Sequence, residues 1–117
     1  MADNFKVSLR KVIDEFKLEV IYIHKDANEV MIEENDVNRP GLQLMGFYEY
    51  FNPERIQIIG KMEFAYLSTI DEKTRRERLQ LLFAQRIPAL IITRELPYFA
   101  EMLELAKEYE VPLLRSK

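Results

Sequence analysis

The sequence predicts an α/β domain built on a small, mostly parallel sheet with helices on both faces. Three observations point there. The short runs Ile56-Gln57-Ile58-Ile59, Ala89-Leu90-Ile91-Ile92-Thr93 and Val111-Pro112-Leu113-Leu114 have the near-continuous hydrophobicity of strands covered on both sides. Between them lie stretches whose apolar residues recur at helical spacing. The resulting order of strand, helices, strand, helix, strand is that of parallel units joined by right-handed crossovers.

Each element has a local reason. Ser8 is placed to cap a first helix that reaches Lys17, with Phe5, Leu9, Val12, Ile13 and Phe16 along one face. Leu18 to Ile23 reads as a strand, His24-Lys25-Asp26-Ala27-Asn28 as a polar turn, and Val30 to Ile32 as the returning hairpin partner. Asp36-Val37-Asn38-Arg39-Pro40-Gly41 breaks the pattern, because Asp and Asn side chains stabilise turns and Pro suits a first helical turn. Leu44, Phe47, Tyr48 and Phe51 then fall on one face of a short helix ended by Asn52-Pro53. Gly46 inside it predicts a close approach to a neighbour. Met62 to Leu67 is helical in pattern. Asp71 caps a heavily charged helix whose buried stripe is Leu79, Leu82 and Phe83, and Phe99, Met102, Leu103 and Ala106 mark the last helix.

Composition bounds the function. The chain has 117 residues, 48% of them hydrophobic, with seven Phe and six Tyr, which suffices for one domain with a single core and no staples. Cysteine is absent, which removes disulfides, a thiolate nucleophile and Cys-based zinc sites, and the cytoplasm is the expected compartment. A net charge of −3 argues against nucleic acid as a partner. No apolar run approaches the ~20 residues of a membrane span, and the opening residues lack the basic and apolar regions of a secretory signal. The closing Leu113-Leu114-Arg115-Ser116-Lys117 follows the last strand without a helix or cap, as at a natural end or at a linker.

Catalytic and metal sites are not expected here. Gly60-Lys61 after a strand resembles the end of a phosphate loop, but Arg55 stands where G-x-x-x-x-G-K-[ST] needs its first glycine and Met62 where it needs a hydroxyl. His24 is the single histidine, in a turn expected to be exposed, with no partner for zinc or base chemistry. Ser8, Ser68 and Ser116 lack a glycine-flanked elbow. The mixed run Glu72-Lys73-Thr74-Arg75-Arg76-Glu77-Arg78 is expected to be a solvated helix face, with partner docking as the functional reading. Ligands of parallel sheets bind beyond the carboxyl ends of the strands. Gly60, Thr93 and Arg94 stand at such ends with Glu63 close by, and Asn38-Arg39 places a guanidinium at a helix entrance. Asn38, Arg39, Gly60, Glu63, Thr93 and Arg94 are therefore the candidate interaction or ligand surface. Arg39 ties its turn to an acceptor in the same domain or meets another domain or subunit, with a small-ligand site as the third reading.

The strings themselves resemble a family. Asp36 to Phe47 follows D-[IV]-N-R-P-G-L-[EQ]-L-x-G-[FY] of HPr kinase/phosphorylase N-terminal domains. Phe51 to Gly60 with Glu63, Ile87-Pro88, Ile91-Ile92-Thr93-Arg94 and Val111 to Arg115 follow the same family's pattern. The resemblance covers nearly the whole chain and weakens over Met1–Val7 and Ala27–Met31. It implies a fold similar to the first domain of Mur ligases, and a non-catalytic N-terminal domain spanning residues 1–117. It implies that ATP and Mg²⁺ belong to a separate C-terminal P-loop kinase domain, absent from this chain. It further implies a cytoplasmic, typically hexameric bacterial enzyme. Such an enzyme phosphorylates and dephosphorylates a serine of the phosphocarrier HPr in carbon catabolite repression. The partners so implied are the kinase domain, neighbouring subunits and, through the full enzyme, HPr. The alternative is a free-standing α/β module that senses a small ligand.

Overall fold

The computed structural model describes residues 6–117, so Phe5, expected on the first helix face, lies outside the described residues. Strand β1 (Val7–Ser8) leads directly into helix α1 (Leu9–Phe16), where the Ser8 hydroxyl accepts from the Lys11 N–H at 3.2 Å. Strand β2 (Glu19–Tyr22), a 3₁₀ turn (Ala27–Glu29), β3 (Met31–Ile32) and β4 (Val37–Asn38) follow. Helix α2 (Gly41–Leu44) precedes β5 (Ile56–Ile59), α3 (Lys61–Thr69) and α4 (Glu72–Ala84). Strand β6 (Leu90–Ile92), α5 (Ala100–Tyr109) and β7 (Leu113–Arg115) complete the chain.

The main sheet has the order β2-β7-β6-β5-β4, with β4 to β7 parallel and β2 antiparallel at one edge. This is the mostly parallel α/β sheet that the apolar runs predict. Alternation along the strands sends side chains to two layers. Ile59, Leu90, Ile92 and Leu113 join Leu44, Leu67, Leu79, Leu82, Phe83, Met102 and Leu105 beneath α2 to α5. Ile56, Ile91 and Leu114 face Leu9 and Ile13 of α1, with Ala27, Val30 and Ile32. Helices therefore cover both faces.

Two local expectations are corrected. Val30–Ile32 is not the hairpin partner of the preceding strand. Strand β3 pairs with β1 across α1, and β2 pairs with β7, where Arg115 meets Glu19 at 3.0 Å. Local periodicity identifies a strand but carries no record of its partner. The helix expected over Leu44 to Phe51 is also shorter and earlier. Gly46 adopts φ +98° and its N–H bonds the Gln43 carbonyl at 2.9 Å, while the Phe47 N–H bonds the Leu42 carbonyl at 3.0 Å. This pair of bonds is a Schellman motif, so Gly46 ends α2 through its left-handed backbone. It does not admit a close neighbour, since a Cβ there would meet nothing within 4 Å.

Ile91 sits in β6, between β5 and β7, and is 8% exposed. Ile91→Ala should lower the unfolding free energy by ~2–5 kcal/mol, as buried large-to-small changes do. Urea unfolding measures this. A loss under ~0.5 kcal/mol, typical of surface changes, would remove β6 from the core.

Candidate functional site

Because β4 to β7 run parallel, the residues that follow them gather along one edge of the sheet. Arg39 follows β4, Gly60 follows β5, Thr93 follows β6 and Ser116 follows β7. At its centre Gly60 is the N-cap of α3, and Glu63, on the first turn, reaches back to it. The Glu63 Oε1 atom accepts from the Gly60 N–H at 2.8 Å and from the Arg39 Nη2 at 2.9 Å. The Glu63 side chain is 9% exposed and that of Arg39 55%.

Burial alone would push the Glu63 carboxyl up. The Arg39 guanidinium, the Gly60 N–H and its own N–H outweigh burial and hold it below its ordinary value of 4.5. The same hydrogen bond, and then the charge of Glu63, raise Arg39. Gly60 has an ordinary extended backbone, so its missing side chain answers to space. A Cβ would collide with the Arg39 Nη2 and lie 3.3 Å from both the Arg39 Cζ and the Thr93 Oγ1. The guanidinium crosses directly over the glycine.

Of the six candidate residues, Arg39, Gly60, Glu63 and Thr93 thus come together. Thr93 fixes the seam between strands, its N–H donating to the Ile59 carbonyl at 3.0 Å. Asn38 belongs to an adjoining amide cluster, donating to Gln43 at 3.1 Å and to the fully buried Gln57 at 2.7 Å. Gln57 in turn donates to the Arg55 carbonyl at 3.0 Å. Arg94 is not drawn in. It is exposed, adopts φ +58°, and its backbone N–H meets the Ser116 hydroxyl at 3.3 Å.

The site's chemistry is that of a filled helix N-terminus. A free N-terminus would offer N–H groups to a phosphate, but here a carboxylate of the same chain already sits on the Gly60 N–H and an arginine balances its charge. The serines also have local bonds: Ser68 donates to the Phe64 carbonyl at 2.9 Å, and Ser8 and Ser116 accept from backbone. His24 departs from its expected exposure. It is half-buried, its Nδ1 buried without a hydrogen-bond partner, and it lines a cleft of about 450 Å³ with Lys25, Arg86 and Glu110. No group of three or more His, Cys, Asp or Glu able to hold a metal occurs among the described residues. No helix among them is long and apolar enough to cross a membrane.

The charged run on α4 is corrected as well. Arg75 is only 15% exposed, bonds Glu101 at 2.7 Å and stacks 4.2 Å over the Phe99 ring. Arg78 donates to the Leu44 carbonyl at 2.9 Å and to the Tyr66 hydroxyl at 3.3 Å. These arginines brace neighbouring helices. Their three-residue spacing puts both on one helix face, which was the available signal. A mixed-charge run conceals which of its members turn inward.

A family model described as HPr Serine kinase N terminus matches residues 7–117. The chain belongs to this family. HPr kinase/phosphorylase of Caldicellulosiruptor bescii is 44% identical over 113 residues, which cover 97% of this chain and 36% of that protein. The Clostridium perfringens protein of the same name is 47% identical over 110 residues, 94% of this chain and 35% of that one. The one from Streptococcus uberis is 39% identical over 111 residues, 95% and 36% of the two chains. This HPr serine kinase N-terminal domain thus spans about a third of the length of the curated relatives it matches, and corresponds to their amino-terminal part. Its fold is also similar to a crystal structure of the CBS and DRTGG domains of the regulatory region of Clostridium perfringens pyrophosphatase, complexed with its activator diadenosine tetraphosphate. That likeness has a TM-score of 0.62 at 19% identity, covering 94% of this chain and 41% of that one.

Arg39→Ala should cost about 1–2 kcal/mol in urea unfolding, a charged hydrogen bond discounted for the exposure of the guanidinium. Gly60→Ala expels the same guanidinium, so the double variant should lose no more than about 0.5 kcal/mol beyond either single one. Full additivity would mean the two residues act separately. The cost of Arg39→Ala should also depend on pH. A lowered folded pKa makes Glu63 stabilising above its ordinary value of 4.5, and that contribution is lost as pH falls through the folded pKa. The difference between wild type and Arg39→Ala should therefore be full at neutral pH and narrow below about pH 4.5. A difference that stays constant on acidification would exclude Glu63 as the partner that matters.

Proposed function

We propose that this chain is the non-catalytic, regulatory or assembly domain of an HPr serine kinase. A single observation carries the reading. The one helix N-terminus whose sequence resembles a phosphate loop already holds the Glu63 carboxylate, paired with Arg39, and a negative charge in that place disfavours a triphosphate. The lengths of the relatives support it, because nearly two thirds of each lies outside the matched part. In this proposal ATP and Mg²⁺ are held by a separate P-loop domain, which acts on the serine of HPr in the cytoplasm. Residues 1–117 form one unit that contacts the kinase domain and neighbouring subunits of a hexamer. Asn38, Arg39, Gly60, Glu63, Thr93 and Arg94 then serve the architecture and contacts of the carboxyl edge. Family membership gives the free-standing sensor no support.

Isothermal titration of the isolated chain with Mg-ATP should show no binding in the micromolar range, and no phosphate should reach HPr. Micromolar binding abolished by Lys61→Ala would overturn the reading, since Lys61 is exposed beside Gly60 and is the cation a phosphate loop would use.

A further inference from the structure

Around the filled helix N-terminus lies an apolar surface that the domain's own fold leaves uncovered. A cleft of about 170 Å³ between α2 and α3 is lined by Gly41, Leu44, Met45, Met62, Glu63 and Tyr66. Met62 is 79% exposed and Met45 57%, at the two rims. Leu42, 58% exposed, lies three residues before Met45, so α2 carries a further exposed apolar side chain on that side. Several large apolar side chains gathered about one cleft mark a contact surface on a soluble protein. Exposed Arg39, Lys61 and Arg94 stand along the same edge, an arrangement of apolar centre and charged rim familiar from protein interfaces.

The topology says what is close enough to cover it. Strand β7 ends at this same edge, and Ser116 is pinned there, its N–H bonding the Ile92 carbonyl and its own carbonyl accepting from Glu95, both at 2.8 Å. Strands β7, β6 and β5 are adjacent, so Ser116 lies two strand spacings, roughly 10 Å, from Gly60 at the start of α3. In the relatives the matched part is about a third of the protein and is amino-terminal. Polypeptide following residue 117 would therefore leave from beside this cleft, at the high effective concentration that a short tether gives.

We infer that the cleft between α2 and α3, with Met45 and Met62 at its rims, is the docking surface for the polypeptide that follows this domain in the longer kinase. The inference rests on the reading of this chain as part of such a kinase. The covering segment presents apolar side chains to the methionines and carboxylates to Arg39, Lys61 and Arg94.

The methionines supply their own probe. Mild hydrogen peroxide oxidises exposed methionine to the sulfoxide, and mass spectrometry reads each position. Met31, 39% exposed and lining the cleft on the opposite edge, is the exposed reference, and Met102, fully buried, is the protected one. In the isolated chain Met45 and Met62 should oxidise at least as fast as Met31. In the full-length kinase they should slow by about tenfold or more, as expected for a contact closed nine-tenths of the time, while Met31 is unchanged. Equal rates in the two proteins would overturn the inference. So would protection that appears in the isolated chain on raising its concentration and disappears on dilution, since a second copy would then be the cover. Failure of the parent reading is seen separately, as a full-length protein that transfers no phosphate to HPr, whatever its methionines do.

Discussion

Glu63 is the constraint on which the carboxyl edge of the sheet depends. A carboxylate held at 9% exposure is costly unless its charge is answered, and three donors answer it: the Arg39 guanidinium and the N–H groups of Gly60 and of Glu63 itself. The donors come from two elements, Arg39 from the end of β4 and the two N–H groups from the start of α3. Gly60 sets the start of α3, and Arg39 carries the end of β4 across to that start. Residue 60 must lack a side chain because the guanidinium occupies the space where a Cβ would stand. Strand β4 pairs with β5 through only two residues, Val37 and Asn38, which is little for a sheet edge. The ion pair on one side and the Asn38–Gln57 amide bond on the other compensate, pinning it by side chains where backbone pairing is short.

This arrangement changes what the edge can do. Parallel α/β sheets keep the N-termini of their helices open toward the crevice where anionic ligands bind. Here the helix after β5 is capped from within by a carboxylate whose charge Arg39 balances. What remains exposed is a half-solvated arginine, further cations and the apolar side chains of α2 and α3. Such a surface suits contact with protein better than capture of a phosphate.

Much of this was legible in the sequence, and the reasons it was not are specific. Apolar runs gave β5, β6 and β7, because a strand covered on both faces needs no alternation. Ser8 and Asp71 gave true helix starts, each accepting a backbone N–H three residues on. The string from Asp36 to Phe47 carried the family. What failed was information that is not local. The partner of β2 lies at the other end of the chain, and nothing between Glu19 and Ile32 names it. Gly46 was ambiguous between a packing glycine and a terminating one, because both occur within helical periodicity and only the sign of φ separates them. Phe16, read as part of the buried face of α1, is 66% exposed. Arg39 and Glu63 are 24 residues apart. Their pairing follows only once β4 and β5 are known to be parallel neighbours.

The same reasoning explains why the cleft between α2 and α3 has a defined shape. Helix α2 is four residues long, far too short to persist alone. It is held at its C-terminus by Arg78, which donates to the Leu44 carbonyl and so meets the negative end of the helix with a cation. Arg78 also meets Tyr66 of α3, and Arg75, one turn earlier on α4, reaches Glu101 of α5. Helix α4 thus ties the other three helices of its layer through two guanidiniums. A buried pair such as Arg75–Glu101 is weak support for stability but a good device for fixing one arrangement among several. The walls that carry Met45 and Met62 are consequently set by charged bonds behind them. A partner meets a cleft already formed and avoids the ordering cost that weakens binding to flexible surfaces.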